Sequence, residues 1–68
     1  MANTYKKIEI VGTSEKSYAE ATRAAISEAS KTVQNISWFE VVEQRGNVVD
    51  GKVKEFQVVL KIGFKIER

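Results

Sequence analysis

Hydrophobic and polar side chains alternate through residues 36–45 in the two-residue rhythm of a β-strand. Phe39 and Val41 point one way, while Trp38, Glu40, Val42 and Gln44 point the other. Phe39 and Val41 read as core, which leaves the only tryptophan of the chain on a polar face beside Glu40 and Gln44. Residues 4–11 alternate in the same way: Lys6, Ile8 and Ile10 share one side, and Tyr5, Lys7, Glu9 and Val11 share the other. This is the pattern of a half-buried antiparallel strand. Gly12, Thr13 and Ser14 break it and are expected to form a loop.

From Ser17 to about Gln34 the period changes. Ser17 and Glu20 fit a capping box. Tyr18, Ala25, Ile26, Ala29, Val33 and Ile36 then recur at helical spacing. Ala21, Ala25 and Ala29 dominate the buried stripe, so this helix can lie close against a sheet, and Asn35 is expected to end it. Glu28 and Lys31 are placed to pair, a contribution of roughly 0.2–0.5 kcal/mol.

Residues 46–51, with Asn47, Asp50 and two glycines, read as a hairpin connection with an irregular or bulged turn. Residues 52–66 form the longest element, a strand whose Phe56, Val58, Leu60, Ile62, Phe64 and Ile66 make one apolar face. At about 3.3 Å per residue that strand spans roughly 50 Å, whereas the helix reaches only roughly 27 Å. One helix cannot cover the whole face. Phe64 and Ile66 should be buried by a second subunit, unless the strand bends sharply at Gly63. A hairpin centred between Val48 and Val49 would set Trp38 opposite Val59 and Glu40 opposite Gln57, making Trp38 and Gln57 near neighbours. That register leaves Arg45 on the core side, a misfit that a bulge or exposure at the strand end would relieve.

Composition narrows the possibilities. The 68 residues make one small domain, 1–68, with no cysteine and no histidine. Disulfides and the usual transition-metal ligands are therefore absent, and oligomerisation is the remaining way to stabilise a small core. Eleven basic and nine acidic residues give a net charge of +2, too balanced and too scattered for a nucleic-acid footprint. No stretch suits a signal core or a membrane span, so a cytoplasmic protein with no membrane or nucleic-acid partner is expected.

The order strand-helix-strand-strand, the phrase Val11-Gly12-Thr13-Ser14, the segment Trp38-Phe39-Glu40-Val41, the pair Arg45-Gly46 and the run Lys54-Glu55-Phe56-Gln57-Val58 together resemble the dodecin family. The resemblance extends from about Tyr5 to Glu67 and implies an α+β fold, β-α-β-β, with a three-stranded antiparallel sheet wrapped around one helix. It also implies a hollow homododecamer that binds a flavin. On that resemblance Trp38 stacks on the isoalloxazine, Gln57 hydrogen-bonds its polar edge and Arg45 supplies a basic group near the flavin. FMN is the expected ligand, with riboflavin and FAD as alternatives. Coenzyme A binding is left open, because Lys65 stands where an arginine is expected in a relative that binds it.

The residue chemistry suits these roles. Indole can stack on a flavin, which adds about 0.5–1.5 kcal/mol beyond burial, and it offers the excited flavin a non-radiative decay route. The Gln57 amide carries a donor and an acceptor, and Arg45 can balance a reduced flavin or a phosphate tail. Each also has a plainer reading: Trp38 as an anchor between subunits, Gln57 as a solvated strand residue, Arg45 as a turn residue. With no histidine or cysteine, enzyme chemistry is poorly supported. Glu40, Glu43 and Glu55 read as cross-strand ion-pair partners. Flavin storage and photoprotective buffering is the expected function. A structural or partner-binding oligomer and a small flavoenzyme are the rivals.

Overall fold

The computed structural model describes residues 3–66. Glu67, where the resemblance ends, lies outside them. The elements run β1 (Tyr5–Ser14), α1 (Tyr18–Ala29), β2 (Ile36–Val49) and β3 (Lys52–Lys65). All strand pairs are antiparallel in the order β1-β3-β2, which is the expected α+β arrangement.

Residues 12–14 are not a loop. β1 continues to Ser14, with Gly12 opposite Val58 on the face that carries α1. Gly12 is there for clearance. A Cβ on it would lie 2.7 Å from Ala25 Cβ and closer still to the Ala21 carbonyl oxygen. The small residues at Gly12, Ala21 and Ala25 thus let helix and sheet approach backbone to backbone. Gly12→Ala is expected to destabilise the protein by about 1–3 kcal/mol through overpacking. That exceeds the roughly 0.4–1 kcal/mol a Gly→Ala change gains through the unfolded chain, so the net sign in a denaturant titration should be destabilising.

α1 begins as its sequence predicts: Ser17 is the N-cap, and its hydroxyl accepts from the Glu20 amide at 3.0 Å. It stops earlier than Gln34. The amides of Lys31 and Thr32 bond back three residues, to Glu28 and Ala29, and the Ser30 hydroxyl donates to the Ile26 carbonyl at 2.7 Å. These tighter bonds close the helix at Ala29. The chain then leads to Asn35, whose φ of 67° turns it into β2. Glu28 and Lys31 do pair, at 3.2 Å.

The hairpin turn lies further on than expected. Strand pairing persists to Val49 and Lys52, and the connection is Asp50-Gly51, with φ values of 53° and 74°. Both central residues are left-handed, the conformation that matches strand twist in a two-residue hairpin. Irregularity sits within β2 instead, with register shifts between Ile36 and Trp38, Val41 and Glu43, and Asn47 and Val48. Because the turn lies two residues further along than expected, Trp38 faces Gly63 and not Val59, and Glu40 faces Lys61 and not Gln57. The bulge at Val42 reverses the alternation after it. Gln44, opposite Val58, turns to the helix side, and Arg45, opposite Gln57, turns to the helix-free side.

The core is narrow. Ala21, Ala25, Val58, Leu60 and Ile62 are buried, with Ile8, Ile10, Tyr18, Ile26, Ala29 and Ile36 packed against them. The helix lies over β1 and β3, not over β2. Phe39 and Val41, read as core, do face the helix side but remain 49% and 46% exposed within the subunit. Beside them runs an open groove of about 600 Å³, lined in part by Thr22, Ile26 and Phe39. β3 passes through Gly63 still paired on both sides, with Lys7 and with Trp38, and the subunit is 54 Å long and 13 Å thin. At about 1.5 Å per residue α1 is roughly 18 Å long, so most of the sheet carries no cover from its own chain.

Candidate ligand-binding face

Because directly paired residues share a face, the register assigns the helix-free side row by row. Thr13, Gln57 and Arg45 share a row near the hairpin; then come Val11, Val59 and Glu43; then Glu9, Lys61 and Glu40; then Lys7, Gly63 and Trp38; and last Tyr5 with Lys65.

Trp38 is 39% exposed. Its benzo ring lies over Gly63: a Cβ on that glycine would fall 2.6 Å from Cη2 and closer to Cε2 and Cζ2. Near-equal approach to three consecutive ring atoms means that the indole turns a broad face to the strand. Tyr5 flanks it, with ring centroids 5.2 Å apart and planes at 56°. Isolated glycine in a strand marks close approach of another group, and here the group is the indole.

Beside the indole, Lys7 forms an ion pair and hydrogen bond with Glu40. The pair reaches over β3, because Lys7 is on β1 and Glu40 on β2. The hydrogen bond from Lys7 holds the Glu40 carboxyl below its ordinary value of 4.5, aided by the charges of Lys7 and Lys61 and opposed by desolvation. A carboxylate lowered in the folded state adds stability above its unfolded value and loses it as pH falls through the folded value. Glu40→Gln should therefore flatten the loss of stability just below pH 4.5. The effect is small because the pair is half exposed, and denaturant titrations at a series of acid pH values would measure it.

At the hairpin end Arg45 Nε donates to Gln57 Oε1 at 2.8 Å, and Gln57 Nε2 donates to Glu55 Oε1 at 3.0 Å. Arg45 also approaches Glu43 at 3.7 Å. The amide is held from both sides, yet it retains one N–H and one carbonyl lone pair for a further partner. Arg45 and Gln57 are thus together. Trp38 is not with them: Gly63 lies six positions along β3 from Gln57, roughly 20 Å of extended chain. The sequence pattern assigns Tyr5 and Lys7 no role, reads Gly63 as a place for β3 to bend and reads Glu55 as an ion-pair partner. The one available signal was a lone glycine in an apolar strand.

Among the described residues no cluster of three or more acidic, histidine or cysteine side chains is placed to hold a metal. No helix among the described residues is long and apolar enough to cross a membrane.

Comparison with known proteins gives consistent matches. The dodecin family model matches residues 4–67. A curated dodecin from Thermus thermophilus is 49% identical over 67 residues, covering 98% of this chain and 97% of its own length. Dodecin from Streptomyces davaonensis superposes with a TM-score of 0.96 at 43% identity, over the full length of both chains. Dodecin from Streptomyces coelicolor gives 0.94 at 44% identity, over 97% of this chain and 94% of its own.

Proposed function

The chain belongs to the dodecin family, and on that premise we propose that it is a cytoplasmic flavin-storage protein. FMN, ahead of riboflavin or FAD, stacks on Trp38 within a homododecameric shell. The observation that carries this reading is the half-exposed indole, one broad face lying over Gly63 and the other turned outward. A planar ligand fits that outward face. Stacked against indole, an excited flavin decays without emitting or reacting, so the bound cofactor is stored in a quenched state. The protein holds its ligand and does not transform it.

The register adds a requirement. A three-ring aromatic on Trp38 cannot reach Gln57 of the same subunit across roughly 20 Å of strand. The amide that meets its polar edge, and the Arg45 beside that amide, must come from a neighbouring subunit. Binding site and assembly are then one structure, in keeping with the apolar surface that each subunit leaves open. Phe39, Val41, Val42 and Ile66 are each about half exposed, and a long sheet with such a surface is a self-association surface.

The same exposed surface favours a second reading, an oligomer in which Trp38 only anchors subunits to one another. Sedimentation velocity of protein mixed with FMN, followed in both the protein band and the visible flavin band, tests the proposal. Flavin should move with a particle many times heavier than the 7.7 kDa chain. Flavin left at the meniscus would leave only the anchor reading. Coenzyme A is an additional candidate ligand. A groove of about 440 Å³ is lined in part by Lys6 and Phe64, and calorimetric titration with coenzyme A tests it.

A further inference from the structure

The stacking reading leaves open what sets the plane of the indole. Tryptophan on an exposed strand has several rotamers, and only a ring held flat offers a preformed platform. Two residues with no assigned role meet Trp38. Gly63, in the same row, is buried and presents bare backbone, and any side chain there would occupy the space of the ring. Tyr5, on the far strand β1, flanks the indole with a tilted ring at 5.2 Å. Lys7, the β1 residue in the row of Gly63, is paired with Glu40, and Trp38 keeps 39% of its surface open.

We infer that Gly63 and Tyr5 are positioning residues for ligand binding. Gly63 is the floor that lets the indole lie against the sheet, and Tyr5 is the wall that fixes its tilt, so one face is committed to the protein and one is presented to a planar aromatic ligand. This rests on the stacking reading for its consequence, although the seating of the ring is a property of the ligand-free protein.

Because Trp38 is the only tryptophan, its fluorescence reports the seat directly. In Gly63→Ala the new methyl group lifts the ring. Its emission should shift to longer wavelength, acrylamide should quench it at least twofold more efficiently, and FMN affinity should fall at least tenfold. Tyr5→Leu should raise acrylamide quenching and weaken FMN severalfold, and Tyr5→Phe should restore both, since the wall needs the ring and not the hydroxyl. Tyr5 is 43% exposed, so this pair keeps the test decisive if Gly63→Ala fails to assemble. Unchanged emission, acrylamide quenching and FMN affinity in assembled Gly63→Ala, or Tyr5→Leu behaving as wild type, would overturn the inference. If the wild-type protein fails to bind FMN, the stacking reading falls by itself, while the emission shifts still decide the seat.

Discussion

Trp38→Ala is expected to weaken flavin binding by about 10–100-fold, taking aromatic stacking at about 1–3 kcal/mol and tenfold per 1.4 kcal/mol. The oligomer should keep its size. The indole is not part of the subunit core, which centres on Val58, Leu60 and Ile62 beneath α1, so its removal leaves the fold intact. What is lost is the platform over Gly63. Trp38→Phe retains a smaller aromatic face and should fall between the two. The anchor reading makes the opposite prediction. If Trp38 mainly joins subunits, the alanine variant dissociates, and size-exclusion chromatography with light scattering shows the particle shrinking. Flavin affinity equal to wild type in an intact oligomer would remove Trp38 from the site altogether.

Phe39→Asp is expected to break the assembly while leaving the subunit's secondary structure in place. Phe39 sits on the helix side opposite Ile62, but α1 does not lie over β2 and the ring is 49% exposed. The change therefore takes little from the subunit core. In an assembly that covers this face, each copy would carry an unpaired carboxylate into an apolar contact, at a cost of several kcal/mol. Closed symmetry repeats that cost at every equivalent contact. Light scattering should then report a mass far below that of the wild-type particle. An unchanged mass would show that this face of β2 is not a contact between subunits.

The fold was largely legible because its signals are local and redundant. The Ser17 cap, the alanine stripe and the alternating β3 each repeat one instruction several times, and the disparity between helix and strand length exposed the shortage of cover. The positions that misled were those where a single residue acts through a distant partner. Gly12 looks like a chain break in sequence, and it continues β1 because Ala21 and Ala25 need the room. The bulge at Val42 carries no mark in the alternation of residues 36–45, yet it carries Arg45 to the face of Gln57, while the turn at Asp50-Gly51, two residues beyond the expected centre, moves Trp38 from Val59 to Gly63. Bulges insert a residue without changing composition, so a hairpin register counted from the turn drifts at each one. The pairing of Arg45 with Gln57 was beyond reach without the structure for that reason, whereas the distance of both from Trp38 follows from the turn at Asp50-Gly51.

The central claim is that a flavin ring stacks on Trp38, and titrating purified ligand-free protein into FMN while following flavin emission tests it most directly, with riboflavin and FAD titrated in parallel. The account predicts saturable, nearly complete quenching with an end point close to one flavin for each subunit, and the order of the three ligands identifies the stored cofactor. Flavin emission that stays undiminished at micromolar protein would contradict the account and leave a structural oligomer in its place.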